Sequence, residues 1–151
     1  MRKAVLVFLL AFASAVVAST VVDVEFVASG GAKYRTSKLV SSLEANYGEN
    51  YTNAKVLLIE TVSLGSESYT AQSKALNALG HKSEEYRVLF VVACPDTEYK
   101  SGYHTSRETA QKLMANNVTF RVRLLNQNGL VLIESTKPVL GEELELWLSE
   151  K

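Results

Sequence analysis

The chain has 151 residues, a length that suits one domain rather than two. Hydrophobic residues make up 47% and charged residues 21%, which is the balance of a globular chain and not of a disordered one. The 16 basic residues equal the 16 acidic ones in number, so the composition excludes the strongly basic footprint of a nucleic-acid-binding protein.

The first residues have the pattern of a secretory signal peptide. Two positively charged residues precede an apolar run over residues 4–17, and Ala18 offers a small residue for cleavage. The apolar run is short for a helix that crosses a bilayer. We therefore predict that residues 1–18 are a signal peptide and that residues 19–151 form one exported domain, either periplasmic or extracellular.

Two alternatives to cleavage after Ala18 stay open. Ala13-Ser14-Ala15 is a second candidate cleavage sequence. The apolar stretch could also continue to Val22 as an uncleaved anchor, although Thr20 and Asp23 interrupt it. An uncleaved segment is the only membrane attachment that we expect.

The first half of the mature part alternates between strand and helix patterns. Residues 20–28 alternate between apolar and polar side chains, which predicts a half-buried edge strand ended by Gly30-Gly31. Apolar residues at helical spacing predict a helix over residues 36–47. The unbroken apolar run at residues 56–59 is typical of a strand buried on both faces.

The second half continues the alternation and ends in a hairpin. A helix over residues 66–79 is followed by another unbroken apolar strand at residues 88–93. Thr105-Ser106-Arg107-Glu108 matches a capping box that begins a third helix. The remaining predicted elements are a hairpin of residues 120–125 and 130–133 around Asn128-Gly129, and a final helix over residues 140–148.

The predicted order is therefore β-α-β-α-β-α-β-β-α. Strands joined by helical crossovers lie parallel, whereas the hairpin adds antiparallel strands. The expected fold class is α/β, with a mixed central sheet, helices on both faces and a thioredoxin-like topology.

The C-terminal hairpin and helix resemble those of a known family. Residues 120–125, Asn128-Gly129, Pro138 and Glu142-Glu143-Leu144 are similar to the signature of a thioredoxin-like domain of unknown function. That family is shared by bacterial secreted proteins and by vertebrate sushi-repeat and coiled-coil matrix proteins, and is related to peroxiredoxins. The resemblance covers roughly residues 55–148 and implies a thioredoxin-like fold for nearly the whole domain.

The chain departs from true thioredoxins at the redox motif. The resemblance places that motif in Ser63-Leu64-Gly65-Ser66, where no cysteine occurs. The proline that thioredoxins have before the hairpin strand would fall near Val118-Thr119 of this chain, and it is also missing. Dithiol exchange needs one thiolate that attacks and usually a second that resolves the mixed disulfide. We therefore expect a protein without thioredoxin chemistry.

Cys94 is the only cysteine and the only candidate catalytic residue. It follows a predicted central strand, at the end where sites gather in open α/β sheets. A buried Cys is common and behaves as a small hydrophobe, whereas an exposed one would make the protein a one-cysteine thiol peroxidase or oxidoreductase. The spacing of Cys94, Asp96 and His104 matches no common metal-site pattern, so we expect neither a metal nor another cofactor.

The polar loop 95–104 is the candidate binding surface. Tyr99 and Tyr103 could anchor a protein partner, or their rings could cover the helix that follows. The turn containing Ser63, Gly65 and Ser66 is expected at the same end of the sheet. Together these residues predict a face that binds a protein partner or a small ligand.

Asn50 and Asn117 begin glycosylation sequons. These sequons have a meaning only in a eukaryotic source. The short signal peptide favours a bacterial source, in which both sequons would be matches by chance.

Overall fold

The computed structural model describes residues 20–47, 53–96 and 102–150. Its strands are β1 (Glu25–Val27), β2 (Lys33–Arg35), β3 (Lys55–Thr61), β4 (Val88–Ala93), β5 (Tyr103–His104), β6 (Phe120–Leu125) and β7 (Val131–Ser135). Its α-helices are α1 (Leu39–Tyr47), α2 (Glu67–Leu79), α3 (Lys82–Glu85), α4 (Arg107–Leu113) and α5 (Gly141–Leu148), with a 3-10 turn at Thr36–Lys38. The predicted signal peptide (1–18), Asn50 and Tyr99 lie outside the described residues.

The strands form one mixed sheet in the order β2-β1-β5-β4-β3-β6-β7. The central strands β3 and β4 are parallel, from Lys55 opposite Val88 to Glu60 opposite Ala93. On its other side β3 pairs antiparallel with β6, and β6 continues into the hairpin with β7. The predicted fold class, a mixed sheet with parallel central strands and an antiparallel C-terminal hairpin, is confirmed.

Helices cover both faces of this sheet because β3 is apolar on both sides. Val56 and Leu58 belong to a core that includes residues of α1 and α4. Leu57 and Ile59 point the other way, into a core that includes residues of α2 and α5. All four side chains are at most 1% exposed, as the two-sided burial of a central strand requires.

The N-terminal segment differs from the predicted single edge strand. β1 is only three residues long and lies inside the sheet, between β2 and β5. The Gly30-Gly31 turn reverses the chain, with Gly31 at φ +92°, so that β2 becomes the edge strand. Strands as short as β2 and β5 carry too little alternation for a period of two to be recognised.

The start of α4 also differs from the prediction by one residue. The capping residue is Ser106, whose side chain accepts a hydrogen bond from the Thr109 N–H at 3.1 Å. Thr105 is 93% buried and its own N–H donates to the Val92 carbonyl at 3.1 Å. The predicted box fails because that backbone hydrogen bond draws Thr105 to the end of the sheet.

No helix in residues 20–47, 53–96 or 102–150 is both long enough and apolar enough to cross a membrane.

Candidate functional site

The turn that replaces the redox motif is a network of hydroxyl groups. The Thr61 hydroxyl, fully buried at the end of β3, donates to the Ser63 carbonyl at 2.9 Å and lies 3.1 Å from the Ser66 hydroxyl. Ser63 Oγ accepts from the Gly65 N–H at 3.2 Å, and Ser66 Oγ accepts from the Tyr69 N–H at the start of α2. The predicted binding residues Ser63, Gly65 and Ser66 therefore shape the turn and cap the helix.

Cys94 lies directly after β4 and is only 5% exposed. The neighbouring β5 runs parallel to β4, with His104 opposite Val92. His104 Nδ1 lies 3.2 Å from the Gly102 carbonyl oxygen, within its own turn. Within the described parts of the chain, no group of three His, Cys, Asp or Glu residues is arranged to hold a metal ion.

Tyr103 is half-buried in an aromatic cluster with Phe26 and Tyr34. Its ring meets those of Phe26 and Tyr34 edge-on, at centroid distances of 5.9 and 5.7 Å, and these two rings stack at 5.3 Å. The ring therefore packs against β1 and β2. Its predicted role as a partner anchor stays a prediction.

An open groove of about 390 Å³ runs along β4, on the face that carries α2. Phe90, opposite Leu57 in the register, is only partly buried, whereas Leu57 is fully buried. Among the described residues, the helices that flank the groove are α2 and the short α3. Its lining includes Ile59, Phe90 and Val92 of the sheet, Tyr69, Ser73, Leu76 and Asn77 of α2, Ser83 and Glu84 of α3, and Gly102 and Tyr103.

A buried ionic cluster lies on the opposite face of the sheet and was not predicted. Glu60 is fully buried and accepts hydrogen bonds from Arg121 at 2.7 and 2.8 Å and from Arg123 at 2.8 and 3.1 Å. Arg121 also donates to the Leu113 carbonyl at the end of α4, at 3.0 Å. These hydrogen bonds to Glu60 raise the pKa of Arg121 further above its ordinary value. The available signal was a charged residue directly after the apolar run 56–59 of a central strand, since buried charges are paired.

The scan against protein-family models found no match, and the search of curated proteins found none either. Among solved structures, the peroxidoxin BcpB of Mycobacterium tuberculosis matches with a TM-score of 0.55 and 14% identity, covering 86% of this chain and 92% of that chain. A thiol-disulfide oxidoreductase from Bacteroides fragilis matches with a TM-score of 0.52 and 15% identity, covering 85% and 96%.

A third similar structure is the C-terminal domain of an uncharacterized Bacteroides fragilis protein, with a TM-score of 0.54 and 14% identity over 88% of this chain and 96% of that one. At such identities the likeness shows the fold alone. The protein has a thioredoxin-like fold of the type found in peroxiredoxins and thiol-disulfide oxidoreductases.

Proposed function

We propose that the protein is an exported, non-catalytic thioredoxin-like module that binds a small, largely apolar ligand in the groove along β4. The observation that carries the proposal is the groove itself, with Phe90 left partly exposed on a central strand. Sites for small molecules are typically concavities of about 300–1,000 Å³ with apolar walls and a few polar groups. Ser73, Asn77 and Glu84 supply such polar groups.

The environment of the residues at the redox position supports a non-catalytic role. Hydroxyl groups occupy the turn before α2, and the only thiol is 5% exposed. A reactive cysteine needs an accessible thiolate. The neighbouring peroxiredoxins share the fold, and a shared fold does not carry chemistry across.

Export and family membership complete the proposal. The charged N-terminus and the apolar run over residues 4–17 support cleavage after Ala18. Intact-mass measurement of the protein recovered outside the cytoplasm is expected to show a chain beginning at Ser19. A cytoplasmic chain that retains residues 1–18 would refute export. The C-terminal hairpin and helix support membership of the thioredoxin-like domain family of unknown function.

Filling the groove is expected to abolish ligand binding. Ser73 lies on the same face of α2 as Tyr69 and Leu76, so Ser73→Trp places an indole in the groove without removing a core side chain. The exposed neighbour Lys74 is not part of the lining, and Lys74→Trp is the matched control. We use the dye anilinonaphthalene sulfonate, whose fluorescence rises when its aromatic rings enter apolar surroundings. We expect it to bind the parent protein and Lys74→Trp, and to lose its fluorescence enhancement with Ser73→Trp.

Thermal unfolding of both variants checks that the fold is intact. Equal dye binding by the two folded variants would place binding elsewhere and contradict the proposal. If the parent protein bound no dye but bound an added protein through this face, the small-ligand proposal would be wrong and the groove would be a site for a protein partner.

A further inference from the structure

Lys55 is a buried lysine at the end of the central strands opposite to the end at which Cys94 lies. It begins β3, opposite Val88 at the start of β4, and the residue is only 8% exposed. A pocket of about 540 Å³ lies at this end of the sheet, and its lining includes Asn53, Lys55, Arg87 and Glu150. This pocket is separate from the groove along β4, since the two share no lining residue.

The Lys55 amine makes no hydrogen bond or ion pair with any described residue. Every fully buried side-chain nitrogen or oxygen in the described part of the chain has a hydrogen-bond partner. The amine must therefore keep some contact with solvent. Lys55 lines this pocket and a smaller one of about 180 Å³. The interaction of its charge with Glu150, which lines only the larger pocket, favours the larger pocket as the route. The structure thus combines a buried aliphatic stem with an amine that has no hydrogen-bond or ion-pair partner among the described residues.

Burial leaves the Lys55 amine easier to deprotonate. Burial lowers the pKa of Lys55, and the carboxylate of Glu150 opposes that change. Glu85, Tyr86 and Arg87 are the other titratable or charged residues lining the pocket. A lysine in such surroundings is neutral, and hence nucleophilic, in a larger fraction of molecules near neutral pH.

We propose that Lys55 is a covalent modification site, whose amine forms an imine with small aldehydes that enter this pocket. The nitrogen lone pair attacks the carbonyl carbon, and a carbon–nitrogen bond forms as the carbonyl electron pair moves to oxygen. A proton then moves from the nitrogen to this oxygen and gives the neutral carbinolamine. The carbinolamine hydroxyl takes up one proton from solvent and leaves as water, and the product is a protonated imine. The step needs no oxidant, reductant or metal.

Site-resolved labelling tests this proposal. The protein is treated with pyridoxal phosphate at about pH 7, the imine is reduced with borohydride, and modified lysines are quantified by peptide mass spectrometry. We expect Lys55 to react several-fold faster than the exposed Lys74 and Lys137. The advantage is expected to shrink toward about pH 10, where the other lysines also lose protons. Labelling that follows exposure, with Lys55 slowest, would overturn the proposal.

A matched pair of variants distinguishes this chemistry from simple access. Glu150→Gln removes the charge that stabilises the Lys55 ammonium, so its labelling at about pH 7 is expected to accelerate several-fold. Glu142→Gln makes the same change in the first turn of α5, about 9 Å of helix rise before the last helical residue Leu148, and is expected to leave the rate unchanged. Slower labelling with Glu150→Gln, or equal acceleration in both folded variants, would contradict the assignment.

Discussion

Replacing Glu60 by glutamine is expected to lower the free energy of unfolding by about 3–5 kcal/mol. The carboxylate is fully buried and accepts four hydrogen bonds from Arg121 and Arg123. The side chain of Arg123 is only 8% exposed, so the substitution leaves a buried guanidinium without its counter-charge. Urea denaturation measures the loss. The control is Glu25→Gln, an exposed residue of β1 outside the cluster, which is expected to change stability by less than about 0.5 kcal/mol.

The uncompensated charge, rather than the lost contacts, is expected to dominate this effect. Glu60→Met combined with Arg123→Met removes both buried charges and should be more stable than Glu60→Met alone, because apolar residues can replace a buried ion pair at little loss. Arg121 is 21% exposed and can be solvated in the double variant. Strictly additive losses in this mutant cycle would contradict the explanation.

Gly129→Ala is expected to lower the free energy of unfolding by about 3 kcal/mol. Gly129 has φ +81°, and a Cβ atom there would lie 2.5 Å from the Val22 carbonyl oxygen and 3.3 Å from the Ser37 backbone. This contact joins the hairpin turn to the N-terminal segment, where the Val22 N–H donates to the Gly129 carbonyl at 2.8 Å. Both the conformation and the packing therefore oppose a side chain.

The matched control is Gly31→Ala. Gly31 has φ +92°, but no atom lies within 4 Å of the added Cβ. Only the backbone conformation is then unfavourable, and we expect a loss of about 1 kcal/mol. Thermal or urea unfolding of the two variants separates strain from steric contact; equal losses would show that the close approach to Val22 has no energetic effect.

The central strands could be predicted from the sequence, whereas the N-terminal hairpin could not. Long apolar runs and a strong turn signal mark β3, β4 and the β6–β7 hairpin, and the structure confirms all of them. β2 and β5 have three and two residues, too few to show a period. Their places in the sheet depend on contacts with distant strands, which local patterning does not encode.

The candidate site was predictable only in part, for a similar reason. The lack of cysteine at Ser63–Ser66 and the position of Cys94 after β4 are features of the sequence alone. In the described part of the chain the groove lies between the sheet, α2 and α3, which is a matter of how the helices divide the sheet. The partnership of Glu60 with Arg121 and Arg123 depends on the register of β3 and β6. No local pattern fixes either arrangement.

The most direct test of a thioredoxin-like fold without thiol chemistry is the reactivity of Cys94 in the folded protein. Modification by a disulfide reagent such as dithiobis-nitrobenzoate is followed from about pH 6 to about pH 9, with and without denaturant. We predict that Cys94 reacts only as fast as the protein unfolds, because it is 5% exposed. Rapid modification of the folded protein near neutral pH, together with peroxide consumption that Cys94→Ser abolishes, would instead establish a one-cysteine peroxidase.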